Sequence, residues 1–322
     1  MKKKEKTYYH YTSLFAFNSI IENKCFWAFQ LNDMNDTKET KLVYDQVEKW
    51  FAANRKKLKR SNFGKHLSEI FDFTNKDENE NLPYVLSLSS KSDDLNQWRS
   101  YADNGTGICI GIEIVKQIKE IEKEKILKNL LTKIKKLKDI VRIVNNEYNI
   151  GAYYHNKFAV QGNWLGTKVN YTNENNLFIY DFLNSCYKLL SKKLGEEWAG
   201  TEYLDNCNYA ISECLEVISP SVKDSSFEDE QEYRILCFPD ELKEEYKINH
   251  DQSLKKRKQN IHFLAHDKRL KMYQKINLGD FIEIKNVILG PKYNGSVYTI
   301  RMLLNTFGFE DVSITKSIVP YR

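Results

Sequence analysis

Along this chain the spacing of hydrophobic positions switches from two to between three and four and back again, and each switch marks an element. Thr7 to Thr12 is an aromatic run of strand character. Leu14, Phe17 and Ile21 then recur at helical spacing behind Ser13, a good capping residue, and Asn23 suits a left-handed helix end. Cys25 to Gln30 returns as a strand, and residues 37–80 read as largely helical and polar, ending in KDENEN ahead of Pro83. A second strand–helix–strand unit follows in YVLSLSSKSDDLNQWRSYADNGTGICIGIEI. Tyr84 to Ser89 forms its first strand, Asp94 with Gln97 three positions on is a capping signal, and Asp103-Asn104-Gly105 ends the helix. Ile108, Ile110, Ile112 and Ile114 alternate on the buried face of the returning strand. Gly107 and Gly111 leave room near the other face, for a ligand, a bulge or close strand packing.

From about 114 to 148 the period is helical: Leu127, Leu130, Ile134, Leu137, Val141 and Val144 form a stripe. Ten basic residues against four acidic ones between Lys116 and Arg142 make its outward face positive. The stripe is a candidate first for helix packing, then for oligomerisation, then for nucleic acid. Aromatic-rich helices are expected to continue to about 218, so that 115–218 is a helical insertion or subdomain within a single domain, 1–322. Strands return at 230–238 and 281–289, followed by a helix from Val297 to Phe307 and a closing strand near Val312. The expected fold class is α+β.

Composition narrows the classes. At 41% apolar residues and 29% charged, the chain is globular, and a net charge of +5 is too small to define a nucleic-acid binder. The charge is uneven, however: six basic residues lie between Arg55 and Lys65 without an acid, and KKRK occupies Lys255 to Lys258. The six cysteines are scattered with no C-x-x-C pair and read as reduced core residues. No apolar signal segment and no run of about eighteen apolar residues occurs, so the protein reads as soluble and cytoplasmic, with no membrane partner.

The segment FEDEQEYRILCF carries the most chemistry. Period-two geometry places Tyr233, Ile235 and Cys237 on one face and Glu230, Glu232 and Arg234 on the other, with same-face neighbours about 7 Å apart. An exposed edge strand explains this pattern, and so does an interior strand whose polar face opens into a cleft. Trp98 and Tyr101, three apart on one helical face beside SLSS, are either core residues or the wall of a cleft that stacks a planar ring. His10 alternates against Tyr9 and Tyr11 and has only Tyr8 beside it; alone, it is a satisfied or exposed histidine. His262 and His266 in HFLAH have i, i+4 spacing, but HExxH is absent and no third ligand is evident, so no metal is expected. The absence of Walker A, G-x-G-x-x-G and G-x-S-x-G motifs removes support for ATP hydrolysis, Rossmann redox chemistry and serine hydrolysis.

Taken in order, Tyr9 to Ser13 (YHYTS), the serine strand with W-x-x-Y-A and the glycine strand over Ser87 to Ile112, E-x-E-Y-R at Glu230 to Arg234, and I-L-G-P at Ile288 to Pro291 resemble a bacterial family of unknown function, number 2971. The resemblance spans nearly the whole chain apart from the helical insertion. That family's layout in turn resembles the ADP-ribosyltransferase superfamily, including its toxin and RNA 2′-phosphotransferase branches. The resemblance implies an ADP-ribosyltransferase-like split mixed β-sheet with a large helical insertion, and NAD as cofactor. His10, with Tyr11, Thr12, Ser87 and Ser89, would bind that cofactor; Trp98 or Tyr101 would stack on nicotinamide. Glu232 would be the catalytic carboxylate, Glu230 would help activate the acceptor, and Arg234 beside them is the third catalytic candidate, although it departs from the superfamily pattern. The reaction implied is cleavage of the nicotinamide–ribose bond, with transfer of ADP-ribose to water, a protein or a nucleic acid. A role as an effector in bacterial conflict or phage defence is implied by the same resemblance. The alternatives are a non-catalytic nucleotide- or nucleic-acid-binding module and an RNA 2′-phosphotransferase-like enzyme.

Overall fold

The computed structural model describes residues 6–34, 39–58, 82–115, 119–120, 164–172, 177–193, 218–237, 261–266 and 269–321. The first strand, β1 (Thr7–Thr12), leads through Ser13, whose Oγ accepts a hydrogen bond from the Ala16 amide at 3.1 Å, into α1 (Leu14–Asn23). The left-handed residue that ends α1 is Lys24 (φ 49°) rather than Asn23, whose side-chain amide instead donates to the Ser19 carbonyl. After β2 (Cys25–Gln30) come α2 (Glu39–Leu58), β3 (Tyr84–Ser89) and α3 (Leu95–Tyr101). Asp94 caps α3 by accepting from the Asn96 and Gln97 amides, and Asp103, Asn104 and Gly105, all at positive φ, terminate it before β4 (Ile108–Ile114).

The remaining strands are β5 (Lys119–Glu120), β6 (Leu165–Lys168), β7 (Asn170–Thr172), β8 (Val222–Asp224), β9 (Glu232–Cys237), β10 (His262–His266), β11 (Arg269–Asn277), β12 (Ile282–Leu289) and β13 (Ser313–Lys316). Two further helices, α4 (Leu177–Lys193) and α5 (Val297–Thr306), complete the described α-helices. Among the described residues no helix is long and apolar enough to cross a membrane.

Eleven strands form one mixed sheet with the path β10-β11-β2-β3-β1-β4-β12-β13. Branching from it, β9 pairs with β3, β6 with β9, and β5 with β6, while β7 and β8 make a separate parallel pair. Within the large sheet the β12–β13 and β5–β6 pairs are parallel and the others antiparallel. β3 joins both halves: it pairs along its length with β9, with β2 through Tyr84 and Val85, and with β1 only at Ser89. The sheet is therefore split between β1 and β2.

One face of the sheet carries the main core, where Ile108, Ile110 and Ile112 of β4 meet Phe17 and Ile21 of α1 and Ile300 and Leu304 of α5. Tyr11, Trp98, Ala102, Cys109 and Ile288 form a smaller core on the opposite face, under α3. The glycines of the motifs are packing positions. A Cβ on Gly107 would run into the Thr12 carbonyl oxygen, and one on Gly290 into that of Gly105. The space beside Gly111 is filled by the Asn286 side chain. The Ile288–Pro291 motif is thus a backbone junction, in which the Gly290 amide donates to the Gly107 carbonyl at 3.0 Å.

Several expected boundaries shift. The 115–218 stretch is not uniformly helical: 119–120, 165–168 and 170–172 are strands, and β6 enters the main sheet because β9 offers it a free edge. The stripe from Leu127 to Val144 and the KKRK run lie outside the described residues, as do the members of the first basic cluster beyond Leu58. HFLAH is strand β10, so its two histidines are about 13 Å apart along the backbone and share no helical face.

Candidate functional site: a buried carboxylate network

The register fixes which side chains can meet. Ser89 stands opposite Tyr9 on one side and Glu232 on the other, and Ser87 stands opposite Arg234. Directly paired residues share a face, so Ser87, Ser89, Glu232 and Arg234 form one polar cluster. Their alternates, Leu88 and Tyr233, turn to the main core, where Tyr8 stacks on Tyr233 at 4.1 Å.

Glu230 reaches the cluster by a route that simple alternation does not give. The strand begins at Glu232; Glu230 ends a 3-10 turn, Ser225–Glu230, and Gln231 between them is left-handed (φ 47°). That residue turns the chain so that both carboxylates lie near one cation. Lys223 Nζ, from β8, is 2.7 Å from Glu230 Oε2 and 3.5 Å from Glu232 Oε2. Arg234 donates from Nε to Glu232 Oε1 at 2.7 Å, from Nη2 to Glu232 Oε2 at 2.9 Å, and from Nη1 to the Pro220 carbonyl at 2.8 Å. Tyr171 of β7 accepts the Glu232 backbone amide at 2.7 Å. Nothing in the hydrophobic spacing marks Lys223, Tyr171 or Pro220, which come from the short β7–β8 pair and the turn before it.

Burial would raise the Glu232 pKa, but the Arg234 guanidinium on both oxygens, with Lys223 behind it, outweighs that and brings it down to about 2. Glu232 is therefore held ionised and enclosed. Glu230 sits further out, and its Oε1 accepts a hydrogen bond from the Tyr101 hydroxyl at 2.6 Å. Burial of that hydroxyl, and then its bond to Glu230, push the Tyr101 pKa up, so it remains a protonated donor. The Tyr101 residue is nonetheless 38% exposed.

The other candidate residues divide clearly. Trp98 is fully buried, edge-on to Tyr11, with Nε1 donating to Asp93 at 2.6 Å, so of the two aromatic candidates only Tyr101 presents a ring. The Tyr11 hydroxyl donates to the Lys91 carbonyl and accepts from the Asp94 amide, holding the loop before α3. Thr12 is buried at the end of β1. Ser89 donates to the Glu230 carbonyl at 2.8 Å and accepts from the Lys91 amide. Ser87, near enough to Glu232 to help hold its charge, has a buried Oγ that makes no hydrogen bond of good geometry.

His10 lies on the opposite face from Glu232. Its ring packs edge-on against Phe26 of β2, and its Nδ1 is 3.2 Å from the Ser87 carbonyl oxygen, so it bridges the split between β1 and β2. Desolvation lowers its pKa, keeping it neutral. The structure brings Ser87, Ser89, Tyr101, Glu230, Glu232 and Arg234 together and leaves His10 and Trp98 elsewhere.

The chain is thus a mixed α/β protein whose sheet backs a network of two carboxylates, two cations and a rim tyrosine. A family model described as a protein of unknown function (DUF2971) matches residues 97–235, a stretch that includes Tyr101, Lys223 and Glu230 to Arg234; it supports the resemblance to that family over this stretch, which runs through the expected insertion and does not reach the Tyr9–Ser13 or Ile288–Pro291 motifs. No curated protein and no solved structure matches the chain.

Proposed function

We propose that the chain is an ADP-ribosyltransferase-like enzyme that uses NAD, with Tyr101 and Glu230 as the groups presented to it. The observation that carries this reading is the Tyr101–Glu230 hydrogen bond: it fixes a partly exposed ring beside a carboxylate at the rim of an otherwise closed network. A ring of this kind can hold a planar base flat, and a carboxylate can accept from ribose hydroxyls. NAD supplies a glycosidic bond whose cleavage leaves positive charge on the ribose, and an ionised carboxylate stabilises that charge without a metal.

In this reading Glu232 is a positioning residue. It is clasped by Arg234 and shares Lys223 with Glu230, so it sets where that lysine, and with it Glu230, rests. This redistributes the roles expected from the resemblance, where Glu232 is the catalytic group and His10 grips the cofactor.

The test is nicotinamide release from NAD, followed by chromatography, with and without protein and nucleic-acid acceptors. Wild type should release nicotinamide, and Glu230→Gln should lower the rate on the order of a hundredfold while NAD affinity by calorimetry changes much less. The complete ionic pairing of Glu232 favours a second reading, a nucleotide-binding module without turnover. NAD binding with no release by the wild type under any condition would establish it.

A further inference from the structure

The region of the sheet formed by β10, β11 and β2 has a second chemical character. β11 alternates strictly, with Arg269, Lys271, Tyr273 and Lys275 on one face and Met272 and Ile276 turned to the main core. The register carries the first face onto the neighbouring strands: Tyr273 is opposite Phe29 of β2 and His262 of β10, and Lys275 is opposite Trp27. The Tyr273 ring centroid is 4.7 Å from that of Trp27 and 5.7 Å from that of Phe29, and His262 stacks on it at 5.3 Å and 28°. These rings form a continuous row. Trp27 and Phe29 are only partly buried, and Arg269 and Lys275 are exposed beside them.

The three strands read CFWAFQ, HFLAH and RLKMYQKIN, without a single carboxylate. Asp33, just beyond β2, accepts the Met272 amide at 2.9 Å. A row of rings alone would fit any flat or apolar partner. Cations interleaved at pleat spacing, with no acid among them, select a polyanion that also offers flat surfaces.

We propose that this face binds single-stranded nucleic acid, with bases stacking on Trp27 and Phe29 and with Arg269, Lys271 and Lys275 meeting phosphates. Unpaired strands expose base faces for stacking, which a duplex conceals. The proposal does not rest on NAD chemistry: its residues lie on β2 and β11, outside the carboxylate network.

The experiment is fluorescence anisotropy of labelled oligo(dT) and oligo(U), each about 20 nucleotides long, with the full chain and no NAD. At least one oligonucleotide should bind. For three phosphate contacts the affinity should fall on the order of tenfold to twentyfold between about 50 and 200 mM salt. Lys271→Glu with Lys275→Glu should weaken binding at least tenfold and Trp27→Ala at least fivefold, whereas Lys275→Arg and the distant Lys316→Glu should stay within twofold. Lys275 is exposed, so its reversal tests the surface even if Trp27→Ala does not fold. No binding of either oligonucleotide, equal binding of a duplex, or indifference to the lysine reversals would overturn the proposal.

Discussion

Arg234 holds both oxygens of Glu232 from two positions further along the same strand, at 2.7 and 2.9 Å, with the arginine side chain 1% and the glutamate side chain 6% exposed. Neighbours on one face of a strand are far enough apart for a long arginine to fold back onto a glutamate. The carbonyl of Pro220 then takes the outward nitrogen, so the pair is closed on three sides.

Breaking that pair should be costly. Arg234→Met leaves Glu232 buried with Lys223, at 3.5 Å, as its remaining cation among the described residues, and removal of one partner from a buried pair commonly costs about 3–5 kcal/mol. Urea denaturation of Arg234→Met, and of Glu232→Leu with Arg234→Met, should show the single variant as the less stable. A single variant within about 1 kcal/mol of wild type would contradict the buried pairing.

The same pair sets an acid limit. The Glu232 pKa falls from its ordinary 4.5 to about 2 in the folded protein, so the unfolded chain takes up a proton first as pH drops. The stabilisation, on the order of 3 kcal/mol, is complete above about 4.5 and is lost as pH falls toward 2. Urea midpoints measured between pH 7 and 3 should decline less steeply for Glu232→Gln than for wild type.

His10 should behave as a structural group. Losing its hydrogen bond to the Ser87 carbonyl should cost about 1 kcal/mol, while any nicotinamide release changes little because the side chain is on the other face. Its folded pKa is lowered, so its contribution is complete above about 6.5 and is lost as pH falls through the folded value. Thermal melts at successive pH values should show this decline in wild type and a flatter profile in His10→Phe. A large loss of NAD affinity in a folded His10 variant would restore it to the binding site.

Tyr101 and Trp98 should separate in the opposite sense. Tyr101→Phe removes a rim hydroxyl and should leave the melting temperature nearly unchanged while slowing nicotinamide release about tenfold or more. Trp98→Ala opens the small core under α3 and should destabilise the fold by about 3–5 kcal/mol. Stability and turnover measured on both variants distinguish the roles.

The strands with strong alternation or aromatic content, β1, β2, β3, β4 and β12, were legible in the sequence, as were the caps at Ser13 and Asp94. Their signals are local. β6 was not, since four residues in LGTK carry too little pattern and its place depends on an edge supplied by β9. In the site, the E-x-E-Y-R segment was visible as chemistry, but alternation put Glu230 on the strand; the left-handed Gln231 that removes it has no signature that glycine or asparagine would give. Lys223 was invisible because a lone lysine in SVKD looks like any surface residue, and only tertiary pairing buries it to 5% exposure.

The path β10-β11-β2-β3-β1-β4-β12-β13 also has a consequence for synthesis of the chain. Cys25 pairs with Asn277 and Ile108 with Leu289, so β2 and β4 each wait for a partner encoded far downstream. For β2 the gap is roughly 250 residues, which at ordinary translation rates is on the order of ten to fifty seconds. Throughout that interval the edge of CFWAFQ and its rings stand open on the nascent chain. A ribosome pause before β11 would prolong that exposure, and the yield of native protein in cells should respond to translation speed through this one strand pairing.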